Sequence, residues 1–213
     1  SGESLNDARP SQSGTRTRHG VLMRHSPFTA VYDANVLYPA PLRDLLMWLA
    51  LTGVYRARWS AQIHAEWKRN VLKNRADLTN AQLDRTSALM DQAVPDALVT
   101  EYEPLINGLQ LPDQNDRHVL AAAIQCSAAA IVTYNLKDFP AEVLKPFGIE
   151  ALHPDEFIAD IWDIDKAAVL EAVREQRAAL KSPPCSVDDY LATLQQQRLP
   201  ETVQLISNFK VLI

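Results

Sequence analysis

Four carboxylates occupy positions where an α/β protein does chemistry. Asp33 closes the run Phe28-Thr-Ala-Val-Tyr32 and opens D-A-N. Glu66 lies inside the helical pattern A-Q-I-H-A-E-W-K-R-N, Asp116 stands in P-D-Q-N-D-R-H-V-L-A-A-A, and Asp138 ends T-Y-N-L-K-D. Asp33 and the loop 133–138 follow apolar, strand-like runs, and in open α/β sheets ligand chemistry collects beyond the C-terminal ends of strands. Glu66 and Asp116, on a helix and at a helix start, can lean over the same rim. Four carboxylates in one small volume cannot all stay ionised uncompensated, because their repulsion raises each pKa. Hard oxygen donors select Mg²⁺ or Mn²⁺ as the compensating charge. Such an ion orients a water, lowers its pKa and neutralises a scissile phosphate. The chemistry predicted is metal-assisted hydrolysis of a phosphodiester.

Each acid has an ordinary use as well. Asp33 is a serviceable turn residue, Glu66 a solvated helix residue, and Asp116 and Asp138 caps for the turns they open. Asn35, Thr133 and Asn135 suit turns and a strand end. The joint pattern is what points to a site. No Ser/His/Asp triad or glycine-rich phosphate loop competes with it, since the chain holds six glycines.

The elements that must position these acids follow from the patterning. Short strands are predicted at 28–32, 55–59, 97–102, 130–133 and 149–153. Between them lie helices opened by Pro41, Ser60 and Thr79, the Ala-rich helix after Asp116, and a short helix from Phe139-Pro140 to Gly148. Strands alternating with helices predict an α/β fold, a mostly parallel sheet flanked by helices. After Pro154 the pattern is helical only, over 155–181 and 187–210, broken at Ser182-Pro-Pro-Cys, with Ser186 and Asp189 set for a capping box. The organisation read from this is a polar leader or expression-derived tail over 1–26, with Met23 a candidate natural start, a catalytic domain over 27–153, and a C-terminal helical extension over 154–213.

Composition bounds the class. The chain has 213 residues, 47% hydrophobic and 22% charged, as an ordinary globular protein does. Its two cysteines, Cys126 and Cys185, exclude a disulfide scaffold and read as free thiols in a reducing cytoplasm. No apolar run approaches the roughly 18 residues of a membrane span. The net charge of −5 argues against a basic coat for nucleic acid. It leaves room for an acidic metal pocket with cations beside it. Candidates for phosphate contact are Arg56, Arg58, Lys68, Arg69, Lys73, Arg75 and Arg117, though a charged helix face is more often simply solvated. Trp59, Trp67 and Tyr134 are candidates for base stacking, with core packing the better expectation. His64, His118 and His153 read as hydrogen-bonded structural residues.

V-Y-D-A-N-V-L-Y, then Glu66, then D-R-H-V-L-A-A-A, then I-V-T-Y-N-L-K-D-F resemble the PIN-domain ribonucleases, in particular the VapC-type toxins of bacterial toxin–antitoxin pairs. The resemblance covers about residues 28–153, and the helical tail is similar to the extra C-terminal domain of a subgroup. It implies a Mg²⁺- or Mn²⁺-dependent endoribonuclease acting on RNA such as transfer RNA. Asp33 and Asp116 would be the principal metal ligands. Glu66 would complete the acidic site and help place the water, and Asp138 would act directly or through a metal-bound water. Asn35, Thr133 and Asn135 match positions that hold the carboxylates, and Asp113 is an additional acid near the site. It also implies an antitoxin that silences the cleft, by a basic side chain inserted among the carboxylates. The apolar faces of the extension (Leu170, Val173, Leu180; Leu191, Leu194; Val203, Leu205, Ile206) suit an antitoxin-docking surface, a homodimer contact, or a lid on the sheet.

Two other readings carry distinct signatures. An aspartate-nucleophile phosphohydrolase would use Asp33 but want a second Asp where Asn35 stands. A non-catalytic binding module of the same fold would have lost acids that are all present here. The same fold acting on structured DNA is a further variant.

Overall fold

The computed structural model describes residues 27–213. The polar leader read over 1–26, with Met23, lies outside the described residues. Five parallel strands form one sheet: β1 (Thr29–Tyr32), β2 (Arg56–Ser60), β3 (Leu98–Val99), β4 (Ala130–Val132) and β5 (Glu150–Leu152), in the spatial order β3-β2-β1-β4-β5. Val31 pairs with Arg58 on one side and Ile131 on the other. The chain builds outward from β1 in one direction and then returns to build outward in the other. The order therefore reverses between β1 and β4, and a crevice opens where neighbouring crossovers diverge.

Local chemistry sets the helices between the strands. A single turn, α1 (Ala34–Leu37), follows Asp33 directly. Pro39 and Pro41 start α2 (Ala40–Leu51), and Gly53, at φ 74°, turns the chain out of it. Ser60 Oγ accepts from Ile63 N at 3.2 Å to cap α3 (Ala61–Asn74). Thr79 and Gln82 form a reciprocal capping box on α4 (Asn80–Ala93). A one-turn helix, α5 (Glu103–Ile106), and a 3-10 turn over Gln114–Asp116 precede α6 (Arg117–Gln125). After β4 come a 3-10 turn over Leu136–Asp138, α7 (Ala141–Leu144) and a second 3-10 turn over Lys145–Phe147.

Several boundaries differ from the sequence reading. The strand expected over 97–102 shrinks to Leu98–Val99. Asp96 and Glu101 both take positive φ (62° and 63°), which bends the chain off the edge strand at each end. Asp116 does not start the α-helix but ends the 3-10 turn before it. The helical stretch 155–181 divides at Asp165 into α8 (Pro154–Ile164) and α9 (Lys166–Ala179), because the Asp165 carboxylate caps α9 through Ala168 N at 3.0 Å. The stretch 187–210 divides into α10 (Val187–Gln196) and α11 (Pro200–Ser207), with Arg198 at φ 61° in the turn between them.

The extension shares the core of the sheet. Phe157 of α8 packs edge-on against Phe28, Tyr32 and Tyr55. Among those rings the Tyr32 hydroxyl is bonded to that of Tyr55 and, at 3.1 Å, to Leu46 O. Helix α9 lies on α2, where Gln176 Nε2 donates to Pro41 O at 2.8 Å and receives the Tyr190 hydroxyl on its Oε1 at 2.6 Å. Asp155, buried at the start of α8, accepts from Glu201 N, Thr202 N and Thr202 Oγ1 at 2.7 to 2.8 Å and so caps α11 from another helix.

Asp155→Ala strands those donors in a buried place. It should lower unfolding free energy by about 2 kcal/mol, more than an exposed cap would. Chemical denaturation of the two proteins measures this; an unchanged midpoint would show that α11 holds without the carboxylate.

Candidate active site

The crevice between β1 and β4 is lined from the ends of those two strands. Asp33 N donates to Val132 O at 3.0 Å, and Thr133 N to Leu152 O at 2.9 Å, so the sheet ladder runs to the rim. There the Asp33 carboxylate is clasped. Its Oδ1 accepts from Ala34 N at 2.7 Å, and its Oδ2 accepts from Asn35 Nδ2 and Thr133 Oγ1, each at 2.7 Å. Asn35 Nδ2 also reaches Thr133 Oγ1 at 2.9 Å, and its Oδ1 accepts from Tyr134 N at 3.0 Å. Asn135 joins through its backbone, whose N–H donates to Thr133 Oγ1 at 3.0 Å. The exposed Asn135 side chain takes no part in the clasp. These bonds fix one rotamer of a carboxylate that is only 3% exposed. Asn35 steadies Asp33 by an amide, where an aspartate-nucleophile enzyme would need an acid.

Around Asp33 the other acids form one electrostatic field. Burial raises the Asp33 pKa to about 6; the Thr133 hydrogen bond opposes this and the Glu66 charge adds to it. Asp116 is pushed up to about 7, first by burial and then by Asp33, Asp113, Asp138 and Glu66 in turn. Asp33, Glu66, Asp138 and Asp113 thus all act on Asp116. Asp113 is more exposed and spends one oxygen on Asn115 N at 2.8 Å. The donor set is all oxygen and strongly anionic, which fits a hard divalent cation in chemistry. Among the described residues, however, no three acidic, histidine or cysteine side chains close into a ready metal cage. The arrangement is an open one, suited to an ion that keeps several of its waters and takes only one or two carboxylates directly.

Glu66 has a partner that the sequence did not suggest. His118 Nε2 lies 3.1 Å from Glu66 Oε2. The imidazole is 3% exposed, and its Nδ1 has no hydrogen-bond partner among the described residues, so a proton on Nε2 is the arrangement that makes the bond. Nothing in the spacing of residues 66 and 118 signals this contact. The other two histidines among the described residues are structural. His64 Nδ1 accepts from Trp67 Nε1 at 2.9 Å while its Nε2 meets Asp91, and His153 Nδ1 accepts from Asp155 N at the start of α8.

The basic candidates scatter. Arg56 is the first residue of β2, at the end of the parallel sheet opposite Asp33. Arg58 acts on Cys126, at the far end of α6 from Asp116. Lys68 is tied to Asp84 at 2.7 Å and Arg75 to Asp77 at 2.7 Å. Arg117 donates to Gln114 O beside Asp116. Arg69 and Lys73 stand three and seven residues beyond Glu66 on α3 and so share its face. They line a groove with Leu72, Asn80 and Asp84. Trp59 and Trp67 are fully buried, with their Nε1 atoms bonded to Asp91 and His64, which removes both from base stacking. Tyr134 is half-buried, its ring taken by His153 and Arg198.

The Asp116 field has a consequence for stability. A carboxyl whose folded pKa lies above its unfolded value of 3.8 binds its proton more tightly when folded, so ionising it costs stability as pH rises through about 7. Asp116 makes no capping hydrogen bond on α6. In EDTA at pH 8, Asp116→Asn should therefore stabilise the protein, on the order of 1–2 kcal/mol after solvent screening. The gain should shrink toward pH 5 and vanish below about pH 4. Melting of both proteins across that range checks it; a variant less stable at pH 8 would contradict the repulsion.

Comparison with known proteins places this geometry in a family. The PIN domain model matches residues 29–137, about half the chain, and the VapC50 C-terminal domain model matches residues 154–208. The Mycobacterium tuberculosis protein named "Putative ribonuclease VapC50" is 39% identical over 108 residues, which are 49% of this chain and 64% of that protein. The match therefore spans less than two thirds of that relative. No solved structure matches the chain. With a parallel sheet reversing at β1 and β4, acids at that reversal and helices following β5, the chain belongs to the PIN-domain family, in its VapC-type branch with a C-terminal helical extension.

Proposed function

We propose that this protein is a divalent-metal-dependent endoribonuclease that hydrolyses RNA phosphodiesters and serves as the toxin of a toxin–antitoxin pair. The observation that carries the reading is the gathering of Asp33, Glu66, Asp113 and Asp138 about Asp116 at the sheet reversal, where burial first and these charges second push Asp116 up to about 7. Such a concentration of charge is costly in the free protein and useful only opposite a cation. Asp33 and Asp116 are the residues that would hold the ion, with Glu66 and Asp138 completing the site. Mg²⁺ or Mn²⁺ would supply neutralisation of the phosphate and a water of lowered pKa.

The chain's own residues do the rest. Asn35 and Thr133 keep Asp33 in one rotamer, so its oxygens need no reorganisation during reaction. His118 orients Glu66, whose free oxygen can align the attacking water. Arg69 and Lys73 offer phosphate contacts along α3, which favour RNA without reading its sequence. Transfer RNA, or another structured RNA with an exposed single-stranded loop, suits a shallow open rim of this kind. The relative's name calls that protein a ribonuclease, in keeping with this reading. The cognate antitoxin would present a basic side chain to the carboxylates, taking the place of the cation and blocking the rim. A cytoplasmic location follows from an RNA substrate and accords with Cys126 and Cys185, both free thiols. Among the described residues no helix is long and apolar enough to cross a membrane.

The test is cleavage of purified total RNA with Mg²⁺ or Mn²⁺, with and without EDTA. Cleavage should require metal and be abolished in Asp33→Asn and Asp116→Asn. Thr133→Val, which removes one donor from Asp33 while keeping the side chain's shape, should lower the rate about 10- to 100-fold. RNA cutting that persists in EDTA or in both aspartate variants would refute the assignment.

A further inference from the structure

The C-terminal extension places a cation beside the acidic crevice. The turn between α10 and α11 rests on Tyr134, whose hydroxyl donates to Gln197 O at 2.7 Å. The next residue, Arg198, takes φ 61°, a conformation that a side-chain-bearing residue adopts only when its surroundings hold it there. Its guanidinium carbon lies 5.2 Å from the centre of the Tyr134 ring. Tyr134 is continuous with the clasp of Asp33, since its N–H donates to Asn35 Oδ1. The Tyr134 ring also meets His153 edge-on, 5.2 Å between centroids, just past the end of β5. Two anchors hold the turn: Tyr134 before Arg198, and the Asp155 carboxylate on Glu201 and Thr202 after it.

The charge on Arg198 is available. It is exposed, and among the described residues no carboxylate forms an ion pair with it. Of the two acids that act on the neighbouring His153, Asp155 and Glu156, the first is committed to capping α11. Most cations read from the sequence as phosphate contacts lie elsewhere or are neutralised: Arg56 at the far sheet end, Arg58 acting on Cys126 at the far end of α6, Lys68 and Arg75 in ion pairs; Arg117 stays beside Asp116, its Nε donating to Gln114 O. Arg69 and Lys73 stand on α3, in the groove they share with Asn80 and Asp84. Arg198 stands by the ends of β4 and β5, on the ring of Tyr134, whose own N–H is bonded to Asn35 of the clasp.

We infer that Arg198, presented by the extension on the Tyr134 ring, is a phosphate-backbone contact for single-stranded RNA crossing the acidic crevice. The inference takes its substrate class from the RNA-hydrolase reading above. A planar guanidinium stacked on an aromatic ring keeps its N–H edge directed outward, which suits an anionic phosphate oxygen and costs little side-chain entropy on binding. The extension is then part of the substrate site as well as of the core.

The experiment uses the full chain and a short labelled single-stranded RNA. Binding is followed by fluorescence anisotropy in Ca²⁺ over a salt series, and cleavage separately in Mn²⁺. Arg198→Ala should weaken binding about five- to ten-fold and reduce the slope of log affinity against log salt by about one, with the melting temperature unchanged. Arg198→Lys should recover most of the salt slope. An unchanged affinity and slope in Arg198→Ala would overturn the inference, and would do so equally if the variant lost binding to a protein partner or only melted earlier. A wild-type protein that binds no RNA overturns it as well. If the wild type binds RNA with the Arg198 dependence but does not cut it, the hydrolase reading fails and the RNA contact stands.

Discussion

Burial of carboxylates that also repel one another is the constraint from which the rest of the site follows. Asp33 and Asp116 are held above the ordinary carboxylate range, first by burial and then by neighbouring charge, Glu66 acting on Asp33 and Asp33 with the other acids on Asp116. A fold that keeps such a cluster gives up stability at neutral pH, and an opposing positive charge recovers it. Every neighbouring feature can be understood as limiting that cost or directing the charge outward. Thr133 and Asn35 donate to Asp33, His118 to Glu66, and Ala34 lends the backbone N–H of the first turn of α1.

The sheet makes the cluster possible. Parallel strands send all their C-terminal ends to one side, and reversal of the strand order between β1 and β4 leaves that side open at one place. The two strands flanking the opening are almost fully buried, Ala30-Val31-Tyr32 and Ala130-Ile131-Val132, so the residues just beyond them have little freedom to move. The extension adds to this rigidity. Phe157 enters the aromatic core next to Tyr32, and Tyr134 holds the turn before α11. The helical tail therefore packs as a continuation of the sheet domain, although its sequence pattern contains no strand.

The sequence showed much of this and failed at identifiable points. Strand-ending Asp33 and helix caps such as Ser60 and Thr79 are local signals, read over three or four residues, and the structure has both caps. The strand at 97–102 failed because its pairing ends where Asp96 and Glu101 take positive φ, which depends on how an edge strand leaves the sheet. The helical stretches after 154 held two further breaks whose local signals the sequence reading passed over: Asp165, an N-cap type, and Pro200, in the first turn of α11. Arg56, Arg58, Lys68 and Arg75 were picked for their charge alone. Charge does not reveal which end of a strand a residue occupies or which acid has already neutralised it.

By itself the sequence determined the α/β alternation, the presence of acids after the strands and the helical character of the tail, because periodicity and capping act between residues close in the chain. Tertiary structure alone decided that Glu66 meets His118, that Thr133 clasps Asp33 across a hundred residues, and that Arg198 comes to rest on Tyr134. These contacts arise from strand order and from the docking of the extension. Both are settled by burying apolar surface over the whole domain, and that energy is not written in any short stretch of residues.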